Sequence, residues 1–84
     1  MKVVVSEQVL ARLGRLHPDQ RRNVLHALRD LAKGGGDSKE LAGVLAGFHR
    51  LRVGRYRLVY RYGERQIEAI FFEHRSVVYE LFRP

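Results

Sequence analysis

Residues 49–65 read HRLRVGRYRLVYRYGER. On either side of Gly54, arginines alternate with apolar residues, the two-residue period of a strand with unlike faces. Gly54–Arg55 is a two-residue turn candidate, so the stretch predicts an antiparallel hairpin. In such a hairpin Arg50 and Arg52 point to one face while Leu51 and Val53 point to the other. Past the turn, Arg55, Arg57 and Arg61 share one side, and Tyr56, Leu58, Tyr60 and Tyr62 share the opposite one. Pairing the two strands therefore collects Arg50, Arg52 and Arg57 on one sheet face.

Working outward, QIEAIFFE at 66–73 reads as a third strand after a turn at Gly63–Glu64, and VVYELF at 77–82 reads as a further short strand. Upstream, the β-branched run KVVV at 2–5 predicts a first strand, and Ser6 can cap a helix whose apolar stripe is Val9, Leu10 and Leu13, with Gly14 as its stop. Pro18 and Asp19 suit the first turn of a second helix. Val24, Leu25, Leu28, Leu31 and Ala32 form its stripe, and the glycines at 34–36 end it. Residues 37–47 read as a short connection with room for one helical turn. The order predicts an α+β fold: an N-terminal strand, two helices, then a three- to four-stranded antiparallel sheet with both helices on one face. Residues 1–84 are expected to form a single domain.

Composition narrows the partners. Of the 16 basic residues 13 are arginine, and against 9 acidic residues they leave a net charge of +7. That excess suits a polyanion, nucleic acid above all. No stretch approaches the roughly 18 apolar residues of a membrane span, and the first residues lack a signal peptide's apolar run. With no cysteine there is no disulfide framework and no thiolate metal site. A cytoplasmic protein without membrane contact is expected.

Two segments carry chemistry. Guanidinium groups stay charged and present a planar fork that fits phosphate oxygens. Like charges opposite one another weaken a sheet, so the clustered arginines read better as a site than as a solvated face paired to Glu64, Glu68 and Glu73. The second segment is FFEHRSVVY at 71–79. His74 follows a strand end and suits proton exchange near neutral pH. Arg75 adds charge, and Tyr79 can stack on a base or donate its hydroxyl proton. His49 shares the parity of Leu51 and is expected under the sheet, while His17 and His26 fall at the start and on the flank of the second helix. Their spacing fits no metal motif, and no phosphate loop, G-x-S-x-G or acid/base carboxylate pair is present.

RLRVGRYRLVY at 50–60 and HRSVVY at 74–79, separated by one strand, together resemble the RelE/ParE toxin superfamily, and the upstream strand and helices match its layout. The resemblance implies a toxin of a type II toxin–antitoxin system that cuts mRNA in the ribosomal A site without a cofactor. Its partners would be the ribosome, mRNA and a cognate antitoxin with an acidic segment, with operator DNA reached only through the antitoxin complex. By motif position, Arg50, Arg52, Arg57 and Arg75 would hold phosphate and offset transition-state charge, and Tyr79 would stack on a base or orient it. Family cutters carry lysines where this chain has Arg50 and Arg52. Arginine does not give up its proton, so His74 is expected to act as acid or base. A gyrase-poisoning toxin and a non-cleaving homologue that binds antitoxin or operator remain as alternatives.

Overall fold

In the computed structural model, which describes residues 1–82, the hairpin is the centre of a five-stranded sheet. The elements are β1 (Lys2–Val5), α1 (Glu7–Gly14), α2 (Pro18–Ala32), β2 (Ser38–Glu40), β3 (Phe48–Val53), β4 (Tyr56–Gly63), β5 (Gln66–His74) and α3 (Arg75–Leu81). The strand order is β1-β5-β4-β3-β2. The four strands that follow the first two helices are antiparallel, and β1 joins them in parallel against β5.

Alternation sorts the side chains as expected around the hairpin. Leu51, Leu58, Tyr60, Ile67, Ala69 and Phe72 share a buried core with Val9 and Leu13 of α1 and Val24, Leu28 and Leu31 of α2. Leu10 and Leu25, read as part of those stripes, lie outside it at 63% and 42% exposure, each one position beyond the residue, Val9 or Val24, that faces the sheet. His49 is half-buried, its ring stacked on Tyr60.

Local hydrogen bonds explain why the first helix sits where it does. Ser6 Oγ accepts from the Val9 backbone N–H, the expected cap, and donates to the carbonyl of Ile70. Ile70 is the extra residue of a bulge in β5, since Val59 pairs with Phe71 and Tyr60 with Ala69. Beyond the end of β1, the Gln8 side chain takes over the ladder, donating to Phe72 O and accepting from Phe72 N. Arg21 of α2 donates to the carbonyls of Leu13, Gly14 and Leu16, satisfying orphan acceptors at the end of α1.

Three local readings change. VVYELF is helical: it lies in α3, on the sheet face opposite α1 and α2, with Val78 buried and the Phe82 ring 5.3 Å from Phe71. Seven residues give too short a period to separate helix from strand, and packing on Val59 and Phe71 decides it. Residues 37–47 hold both the short edge strand β2 and a single 3₁₀ turn at Gly43–Leu45. The second hairpin turns at Glu64–Arg65 rather than Gly63–Glu64, with Gly63 paired to Gln66 and Arg65 at φ 59°. The Gly54–Arg55 turn is as expected, Gly54 taking φ 59° at its first position.

Candidate active site

The β3–β4 register sets Arg52 directly opposite Arg57 and Arg50 opposite Val59. All three arginines thus share the sheet face that carries α3. Because α3 packs there, Arg57 is not a solvated residue: only 2% of it is exposed. Its Nη1 donates to the carbonyls of Gly54 (2.9 Å) and Tyr56 (2.8 Å), clasping the hairpin turn. Its Nη2 donates to Tyr79 Oη at 3.4 Å, and its guanidinium carbon lies 5.9 Å from the Tyr79 ring centre.

Among the described residues, neither Arg50 nor Arg57 has a salt-bridge partner. Glu68 pairs with Arg61 at 2.8 Å, and Glu73 pairs with Arg12 of α1 at 2.7 Å. Neither reaches Arg50, Arg52 or Arg57 as a salt-bridge partner; Arg52 meets only Asp37, at 3.6 Å on an open surface where such a contact is worth little. Arg50 Nη1 and Arg57 Nε are buried with no hydrogen-bond acceptor among the described residues, and a buried polar group left unpaired is costly.

Tyr79 is the titratable group at this cluster. The Arg57 hydrogen bond and charge, with smaller contributions from Arg50 and Arg52, lower its phenol pKa from the ordinary value. It is half-exposed and faces a cavity of about 560 Å³ between β2 and α3, lined also by Lys39, Glu40, Arg50, Val78 and Phe82. Arg75, the first residue of α3, stands one helical turn before Tyr79 and is exposed. Its backbone N–H donates to Arg55 O, tying α3 to the hairpin turn.

His74 is not brought into this group. It caps α3, its Nδ1 accepting from the Ser76 N–H at 3.2 Å, and its ring stands edge-on to Tyr56, which stacks on the core residue Phe72. It lines a different cavity, shared with Gln20 and Asn23 of α2. Arg61 and Arg55 also stand apart, Arg61 in its pair with Glu68 and Arg55 in the turn. Conversely, Lys39 escaped the sequence reading. It pairs with Arg50 across β2–β3, but a three-residue polar strand carries no periodic signal. Among the described residues, no group of three or more His, Cys, Asp or Glu is placed to hold a metal, and no helix is long and apolar enough to cross a membrane.

No protein-family model matches the chain, and no curated protein matches it. Solved structures do. The RelB–RelE antitoxin–toxin complex from Methanococcus jannaschii matches at TM-score 0.75 and 18% identity, over 94% of this chain and 98% of that one. The YoeB/ParE toxin from Agrobacterium tumefaciens matches at 0.73 and 23%, over 88% and 98%. The RelBE2 toxin–antitoxin complex from Mycobacterium tuberculosis matches at 0.68 and 25%, over 88% and 96%. With TM-scores of 0.75, 0.73 and 0.68 over nearly the whole of each chain, this chain has the fold of the RelE/ParE toxin superfamily.

Proposed function

We propose that the chain is the toxin of a type II toxin–antitoxin system and cuts mRNA in the ribosomal A site. The observation that carries this is the group of Arg50, Arg52 and Arg57 around Tyr79, two of its guanidiniums holding buried nitrogens without acceptors. In the reaction a ribose 2′-hydroxyl attacks the adjacent phosphorus and gives its proton to water, while the bond to the 5′-oxygen breaks. That oxygen takes a proton from Tyr79, leaving a cyclic phosphate, a free 5′-hydroxyl and a tyrosinate that solvent reprotonates. The arginines hold the phosphate and offset the charge that builds on the phosphorane. Tyr79, whose phenol its guanidinium neighbours make more acidic, gives its proton to the departing 5′-oxygen. Arg75 adds positive charge one turn away. Guanidiniums cannot accept the 2′-OH proton, so the cluster holds no strong base. That favours a reaction in which the ribosome orients the strand, where positioning supplies much of the rate.

Two of the similar structures are toxins bound to their antitoxins, which supports a cognate antitoxin here. An acidic segment would neutralise the unpaired arginines, and operator DNA would be reached only through that complex. The protein would act where ribosomes are, in the cytoplasm. Primer extension on programmed ribosomes with purified protein tests the reading. Cuts within the A-site codon are expected, and none on the same RNA without ribosomes. Growth arrest without cuts would replace the reading with gyrase poisoning; neither cuts nor arrest would leave a basic binding protein.

A further inference from the structure

A second cavity, of about 550 Å³, opens under the β3–β4 hairpin beside α2, away from the Tyr79 cavity. Its polar lining is Gln20, Asn23, Arg55, Tyr56 and His74, and no carboxylate lines it. Gln20 and Asn23 stand three residues apart on α2, so both amides fall on one helix face. Each amide offers a donor and an acceptor side by side, the pattern that reads a nucleobase edge. Because His74 Nδ1 accepts from the Ser76 N–H, the neutral ring carries its proton on Nε2, which leaves a donor for a ligand. Arg55 has no salt-bridge partner among the described residues. One guanidinium and one imidazole N–H donor with two amides, and no carboxylate among the described residues of the lining, suit a phosphorylated nucleoside, and the volume admits one.

The two cavities share the hairpin. Arg57 clasps its turn from the α3 side through Gly54 O and Tyr56 O, while Gly54, Arg55 and Tyr56 line the second cavity. Gly54 has open space where a side chain would stand, so the tip between the two is unobstructed. We propose that the hairpin cavity is a second nucleotide subsite: Arg55 and His74 take the phosphate, Asn23 and Gln20 the base edge, of a residue flanking the one at the arginine face. The inference rests on the reading of the chain as an RNA-cutting protein for its choice of strand, but it requires binding alone.

The test uses the whole labelled protein and uncleavable probes, so a failure to cut RNA leaves it unaffected. Ribonucleoside 5′-monophosphates, inorganic phosphate and a 2′-methoxy trinucleotide are each titrated while the His74 ring and the Asn23 and Gln20 amide resonances are followed. A monophosphate should move these signals at about tenfold lower concentration than phosphate alone. The trinucleotide should bind tighter still, because its second contact is intramolecular. Asn23→Ala should remove about tenfold of monophosphate affinity and leave phosphate binding unchanged, whereas Arg52→Gln should leave monophosphate binding at the cavity intact. Equal affinity for phosphate and nucleotide, or shifts confined to the Tyr79 side, would overturn the subsite. A trinucleotide no tighter than a monophosphate would overturn its place on the substrate strand.

Discussion

Arg12 and Arg61 on one hand, and Arg50 and Arg57 on the other, are the same residue in two kinds of surroundings. The first two each meet a carboxylate, Glu73 at 2.7 Å and Glu68 at 2.8 Å. Arg57 is the most enclosed of the four, and both it and Arg50 keep a buried nitrogen with no acceptor among the described residues. A paired arginine ties elements together, as Arg12 ties α1 to β5 while lying over the Tyr56 ring. Arg57 also ties elements together, through Gly54 O, Tyr56 O and Tyr79 Oη, but without a carboxylate to balance its charge, and under the proposed function a phosphate supplies that charge. The difference lies in where the acidic residues went. Of the three glutamates in the sheet strands, Glu68 and Glu73 pair with Arg61 and Arg12, while Glu40 lines the Tyr79 cavity and forms no salt bridge among the described residues.

The largest expected effect breaks the comparison by activity. Arg57→Gln should lower single-turnover cutting on programmed ribosomes by about 10²–10³-fold, as loss of one transition-state donor does. Arg61→Gln should stay within about twofold, because that side chain serves Glu68 and not the site. Equal losses would mean that positive charge in general, and not this cluster, drives the reaction.

Stability should sort the same residues the other way. Arg12→Met leaves a half-buried Glu73 without its partner and should cost about 2 kcal/mol in chemical denaturation. Arg50→Met removes a buried nitrogen that has no acceptor and should stabilise the chain by about 1 kcal/mol while weakening activity. A destabilised Arg50→Met would show that Arg50 is a structural residue.

The smallest effect is in tyrosine ionisation. Tyr79 is lowered by Arg57, whereas burial raises Tyr60. Ultraviolet titration should therefore find Tyr79 ionising first and Tyr60 last, and Arg57→Gln should move the first step upward. The lowered phenol favours the folded state only above its unfolded value, and that contribution is lost as pH falls through the folded value. The raised Tyr60 acts in the opposite sense, adding stability below its unfolded value and losing it as pH rises through the folded one.

Much of this was legible because β3 and β4 alternate strictly: the parity of Arg50, Arg52 and Arg57 and that of Leu51 and Leu58 follow from it. The Ser6 cap and the Gly54 turn are local chemistry and were readable for the same reason. What the residues did not disclose depends on distant packing. Helix α3 is too short to show a period, and its position over β4 and β5 buries Arg57, which parity alone left on an open face. His74 and Tyr79 are five residues apart, yet the chain passes from strand to helix at His74, so the ring lies beside Tyr56 while Tyr79 meets Arg57. The parallel placement of β1 against β5 likewise has no local signature.

The proposed function requires Arg50 and Arg57 to receive phosphate. The salt dependence of binding to a 2′-methoxy RNA oligonucleotide tests it most directly, since each phosphate contact on a single strand contributes a slope of about 0.7 in log K against log salt. The slope should fall by about that much in Arg50→Met and stay unchanged in Arg61→Gln. If both variants lose the same slope, or neither loses any, the unpaired arginines are not the phosphate site.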